Sequence, residues 1–149
     1  ILNAIARLAE GYPEMAFVFP VHPNPNIRKP VFERLGNIAN LALTDPLDYP
    51  HFIWAMSKSR LILTDSGGVQ EEAPTLGIPV LVARNVTERQ EGVEAGVATL
   101  VGTSEERIFE TASRALKGGS KHQLANPYGD GTTSAQILSI CLTTLSNPS

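Results

Sequence analysis

"LILTDSGGVQEEAPTLGIPVLVA", Leu61 to Ala83, is the stretch that decides the fold. It opens on an apolar run that ends at Thr64. It turns on Gly67 and Gly68, passes through a helix-compatible segment to Gly77, and returns to a second apolar run. A short, nearly continuous apolar run bounded by turn residues reads as a strand buried on both faces, and such strands belong to parallel sheets. Gly77 reads as the stop of the intervening helix.

The alternation continues in both directions. Upstream, "ILNAIARLAE" places Ile1, Leu2, Ile5 and Leu8 on one helical face, closed by Gly11. "MAFVFPV" reads as a strand, and "HPNPNIRKP", with three prolines in nine residues, as a loop. A short helix near Val31 to Leu35, a strand in "NIANLALT" and a helix in "DPLDYPHFIWAMSKS" follow. Downstream, "TERQEGVEAG" reads as a helix, with Thr87 as N-cap and Gln90 completing a capping box. "VATLVG" is a fifth strand and "SEERIFETASRALKG" a helix capped by Ser104. "NPYGDG" is a loop and "TTSAQILSICLTTL" a last helix. Strands alternating with helices imply an α/β fold: a parallel sheet with helices on both faces. Ligands bind such folds at the strand-to-helix turns of one edge.

Composition narrows the classes. With 149 residues the chain has the size of one domain. Its net charge is −3 and its basic residues are scattered, so no nucleic-acid partner is expected. No apolar run approaches the roughly 18 residues of a membrane helix. Cys141 is the single cysteine, which suits a reducing cytoplasm, and the opening residues carry no signal-peptide pattern. Cys141 sits among Ile137, Leu138 and Leu142 and is expected to be a buried core thiol. The helix at Ile1 has no capping residue before it, so the natural chain is expected to extend upstream.

The candidate chemistry lies at the turns. Free N–H groups where Gly67 and Gly68 open a helix can bind an anion, glycines let it approach closely, and Ser66 adds a hydroxyl. The Lys-Ser/Thr pair of the triphosphatase loop is missing, and so is GxGxxG. A tight turn that merely uses two glycines explains the local pattern equally. Glu71 and Glu72 follow, about 100° apart around a helix, so only one can face a ligand. That one can accept from both hydroxyls of a ribose; the other is expected in solvent. Arg89 can reach a phosphate at the same edge or stay on the surface. His22 follows the first strand and can contact phosphate or transfer a proton. Phe52 can pack beneath a base or in the core. His51 and His122 read as structural hydrogen-bonders. No His, Cys and carboxylate cluster has metal spacing, so neither metal nor cofactor is expected.

"VHPNPNIRKPV", "LTDSGGVQEEAPTLGIPVLVARNVTERQEGVEAGVATLVGT" and "NPYGDG" together resemble the C-terminal half of non-hydrolysing UDP-N-acetylglucosamine 2-epimerases, over roughly Gly11 to Leu138. The resemblance implies a Rossmann-like domain, half of a two-domain glycosyltransferase-B architecture. It implies an enzyme that interconverts UDP-N-acetylglucosamine and UDP-N-acetylmannosamine by eliminating UDP to a glycal and adding it back. Position by position it assigns Ser66, Gly67 and Gly68 to the diphosphate and Glu72 to the ribose. It sets Arg89 and His22 at the diphosphate and sugar end, Phe52 at the uracil through its backbone, and Arg28 near a regulatory substrate site of some bacterial members. The chain departs from the pattern at Leu47, where the family often has Gln, and at Gln90, where Pro is usual. The family's acidic residues for catalysis lie in an N-terminal domain, and its "HRRE"-type first strand precedes the residue matching Ile1. The resemblance therefore implies a UDP-binding half, residues 1–149, that is inactive alone and forms a homodimer in the whole enzyme. A glycosyltransferase of this fold and a non-catalytic nucleotide-sugar-binding protein share the same turn.

Overall fold

The computed structural model describes residues 1–118 and 126–146. Five parallel strands alternate with seven helices there: α1 Leu2–Gly11, β1 Phe17–Pro20, α2 Pro25–Leu35, β2 Leu41–Thr44, α3 Tyr49–Lys58, β3 Ile62–Thr64, α4 Gly67–Glu72, β4 Val80–Val82, α5 Gln90–Glu94, β5 Ala98–Leu100, α6 Glu105–Gly118 and α7 Thr133–Ser146. A 3-10 turn, Ala73–Leu76, extends α4 to Gly77, whose φ of 68° is the left-handed conformation that glycine adopts freely.

The expected α/β alternation is present, with its parallel strands divided between two sheets. β1 pairs with β2, Phe17 opposite Leu41, and β3, β4 and β5 form the second sheet in that order. The division corrects one expectation. β3 has the apolar run of a strand buried on both faces, yet all three of its residues are only partly buried, because it pairs with β4 alone. β4, paired on both edges, is buried throughout.

α1 ties the two sheets together. Its Ala4 and Leu8 join Leu81, Val101 and Ile108 in one core cluster, while its Ala6 and Ala9 join Val31, Leu35 and Leu41 in another. Both sides of the helix are occupied, so small alanines carry the burial, and Ile1, expected on the apolar face, is 43% exposed. A third cluster joins Met56 of α3 and Val69 of α4 to β4 and β5. The side-chain amide of Asn40 donates to the carbonyls of Ala9, Tyr12 and Met15, which satisfies the end of α1.

Two further expectations are corrected. The proline-rich segment read as a loop is one only over residues 22–24; from Pro25 onward it is the first half of α2. Asn24 caps it by accepting from the Asn26 N–H, and Pro25 takes the first helical position, where a missing N–H costs nothing. Pro30 lies inside the helix and removes one of its bonds. Cys141 is exposed, as is every residue of α7 from Thr133 to Leu145, because the helix packs on none of the core clusters.

Candidate functional site

The turn after β3 is built by side chains on either side of it. The hydroxyl of Thr64 accepts from the Ser66 N–H at 3.0 Å, which bends the chain out of the strand. Ser66 is the N-cap of α4, exposed, and its side chain makes no cap bond. The first N–H groups of α4 have no acceptor within the helix. The two glycines then differ. A Cβ on Gly68 would meet nothing nearer than the Ser66 hydroxyl at 4.0 Å. A Cβ on Gly67 would stand 2.9 Å from Cζ of Arg89 and about as close to two of its nitrogens. The guanidinium therefore lies directly against the bare Cα of Gly67.

Arg89 reaches that place because the segment after β4 is fastened to α4 from inside. Gln70 is fully buried, and its amide donates to the carbonyl of Ser66 at 3.2 Å. Its other end accepts from the Thr87 hydroxyl at 2.7 Å, and the same hydroxyl accepts from the Arg89 N–H at 3.1 Å. The expected capping box does not form, since the Thr87 hydroxyl is committed to the buried Gln70 and α5 starts later, with Arg89 as its N-cap. Gln90 instead donates to the carbonyl of Thr87 at 2.7 Å. Tyr128, from the "NPYGDG" segment, closes the outside: its hydroxyl donates to the Arg89 carbonyl at 3.4 Å and rests against Gly92, leaving no room for a Cβ there. Burial pushes the Tyr128 phenol above its usual range.

Neither glutamate is left to solvent, which corrects the expectation for Glu71. Arg89 Nε donates to Glu71 Oε1 at 2.8 Å, and this bond raises the pKa of an already permanent cation. Glu72 accepts from the Tyr49 hydroxyl at 3.2 Å, and the charge of Glu72 pushes that phenol up. The bond carries Glu72 to the first turn of α3, one turn from Phe52. Phe52 packs partly buried against the third core cluster. Sequence reasoning missed Gln70, Tyr49 and Tyr128. Only Tyr128 had a visible signal, an aromatic inside a turn-rich segment.

His22, Arg28 and Asp45 lie instead at the end of the first sheet. His22 is exposed, and its Nδ1 accepts from the Asn24 N–H at 3.1 Å, which leaves Nε2 to solvent. Arg28 donates to Asp45 at 2.6 Å and lies 4.7 Å from the centre of the Phe32 ring. With Pro23, Pro25, Lys29 and Phe32 it lines an open depression of about 320 Å³. His51 has the structural role expected of it, bonded to Asp48, the N-cap of α3. His122 lies outside the described residues.

Parallel strands between helices, with a glycine turn at a strand end and an arginine laid against it, define a Rossmann-like domain of glycosyltransferase-B type. The chain belongs to the UDP-N-acetylglucosamine 2-epimerase family, whose model matches residues 1–142. It is 49% identical over 142 residues to the UDP-N-acetylglucosamine 2-epimerase of Escherichia coli K12, covering 93% of this chain and 38% of that protein. The fold is similar to the crystal structure of UDP-GlcNAc 2-epimerase from Neisseria meningitidis bound to UDP-GlcNAc: the TM-score is 0.89 at 44% identity, over 96% of this chain and 40% of that one. A crystal structure of a related protein from Listeria monocytogenes gives a TM-score of 0.90 at 40% identity, over 97% and 40%. The chain thus spans about 40% of the length of the relatives it matches. No described helix is long and apolar enough to cross a membrane.

Proposed function

We propose that this chain, residues 1–149, is the UDP-binding domain of an enzyme that interconverts UDP-N-acetylglucosamine and UDP-N-acetylmannosamine. The observation that carries the reading is the Arg89 guanidinium against Gly67, beside the open Ser66 and Gly68, at the C-terminal end of a parallel strand. A fixed cation next to unpaired helix-end N–H groups suits a diphosphate. Glu72 would accept from the ribose hydroxyls, and the backbone at Phe52 would meet the uracil. His22 would stand at the sugar end, its free Nε2 available to phosphate or for proton transfer. As the bond from the sugar C1 to the diphosphate oxygen breaks, negative charge grows on UDP, and Arg89 with the turn amides would stabilise it. Removal and return of the proton at C2 would fall to acidic groups of a partner N-terminal domain. The chain alone is therefore expected to show no epimerisation. The whole enzyme would be a homodimer in a reducing cytoplasm, which the single Cys141 suits.

UDP titrated into the isotope-labelled chain, followed through its amide resonances, tests the site. Shifts centred on Gly67, Gly68 and Arg89 are expected. Shifts confined to the opposite strand ends, with that turn silent, would overturn the reading.

A further inference from the structure

We infer that Glu71 and Gly67 form a seat that holds the Arg89 guanidinium in place for the diphosphate, with Glu71 acting as a positioning residue through its hydrogen bond rather than through its charge. The inference rests on the proposed diphosphate site and adds to it a residue that nothing in the sequence distinguished from a solvated carboxylate.

Three observations converge. Glu71 Oε1 accepts from Arg89 Nε at 2.8 Å. The guanidinium plane is backed by the Cα of Gly67, where a Cβ would stand 2.9 Å from Cζ. The backbone of Arg89 is itself held by Thr87 and Tyr128. One side of the fork is therefore taken by Glu71 and one face by Gly67. Among the described residues Nη2 has no partner, and Nη1 has only a long ion pair with the exposed Glu88 at 3.5 Å, which an incoming oxyanion would replace. A guanidinium fixed at Nε keeps its two terminal N–H groups in the plane that a phosphate engages through two oxygens.

Two effects of Glu71 oppose each other. Its charge repels a diphosphate bound on the far side of the guanidinium. Its hydrogen bond removes rotamer freedom that an unheld arginine would otherwise lose on binding. The side chains are 34% (Arg89) and 44% (Glu71) exposed, so water screens the repulsion, while the geometric restraint is not screened. Positioning wins on this weighing. It follows that glutamine, which presents an oxygen of the same reach without the charge, preserves the seat.

The test is calorimetric titration of UDP and of uridine into the chain and its Glu71→Gln, Glu71→Ala, Arg89→Ala and Glu71→Ala/Arg89→Ala variants, each first shown by thermal melt to be folded. Glu71→Ala is expected to weaken UDP about five- to tenfold, Glu71→Gln to stay within about threefold of the parent, and uridine binding to be unchanged in both. In the Arg89→Ala background, Glu71→Ala should have no further effect. Glu71→Ala at parent affinity, an equal loss for uridine, or the same loss with and without Arg89 would overturn the seat. Equal losses in Glu71→Gln and Glu71→Ala would also overturn it, by making charge the cause. An Arg89→Ala variant that binds UDP as the parent does would remove the diphosphate site itself and the seat with it. A loss in Arg89→Ala beside an unaffected Glu71→Ala would remove the seat alone.

Discussion

The two sheets end in the same device and use it differently. In the first, Arg28 on the helix after β1 bonds to Asp45 just beyond β2 at 2.6 Å. In the second, Glu71 on the helix after β3 bonds to Arg89 beyond β4 at 2.8 Å. Each is an arginine–carboxylate pair that fastens one crossover helix to the next loop, with the signs exchanged. The shorter bond belongs to the looser site. Asp45 is 78% exposed and Arg28 40%, and among the described residues no buried polar side chain lies beneath them. Beneath the second pair, Gln70 and Thr87 are both buried and bonded to each other. An ion pair with water on both partners is worth between nothing and about 1 kcal/mol. A neutral bond inside the protein is costly to leave half-made, so it fixes where the loop sits. The buried neutral bond specifies the geometry of the second site, and the charge is mounted on it.

The largest expected effect is therefore on a residue with no charge. Gln70→Ala should lower stability by about 2 kcal/mol, within the range for stranding a buried partner, here the Thr87 hydroxyl. Thr87→Val should cost about as much, by stranding Gln70. Urea unfolding of both, beside Arg28→Ala, would break the comparison if Arg28→Ala proved as costly as either.

Glu72→Ala comes next. With Glu72 assigned to the ribose hydroxyls as proposed, its loss should weaken UDP about tenfold, a cost of about 1.4 kcal/mol. Titration of this variant beside Glu71→Ala sharpens the comparison, because the two should fail for different reasons. Glu72→Ala should weaken uridine as well as UDP, and Glu71→Ala only UDP. Identical patterns would mean that one residue has the other's role.

A smaller effect is expected at Asp48, which caps α3, the crossover between the two sheets. The His51 backbone N–H and then its side chain hold the Asp48 carboxyl below its ordinary value. A carboxyl lowered in the folded state adds stability above its unfolded pKa, and that stability is lost as pH falls through the folded value. The melting temperature of the parent should thus fall more steeply below pH 4 than that of Asp48→Asn. Parallel acid limbs would deny the cap that role. Arg28→Ala should change stability least, by under about 1 kcal/mol, since its pair is open to water.

The alternation of strands and helices was legible because buried parallel strands and capped helices leave strong local patterns. "RLILTD" announced β3 and "IPVLVA" announced β4, and Gly77 marked the end of the helical stretch. What local patterns could not carry was the identity of neighbours. β3 and β4 look alike in composition, yet one is paired on a single edge and the other on both. Cys141 has core-like neighbours along the chain but is exposed, and among the described residues its helix joins none of the core clusters. Pro25 and Pro30 hid the first half of α2, because a proline at a helix start and a proline in a loop look the same in sequence. The candidate site divides in the same way. Ser66, Gly67, Gly68 and Arg89 were visible as a turn and a nearby cation. The partner of Glu71 lies 18 residues away, and only the fold reveals that the adjacent carboxylates turn to Arg89 and Tyr49.

Arg89, and not Arg28, is the arginine proposed to meet the diphosphate. The most direct measurement is the preference for UDP over uridine, titrated for the parent chain, Arg89→Ala and Arg28→Ala. Arg89→Ala should lower this preference about tenfold or more, while uridine binding and the preference of Arg28→Ala stay at the parent level. A preference unchanged in Arg89→Ala, or lowered equally in Arg28→Ala, would contradict it.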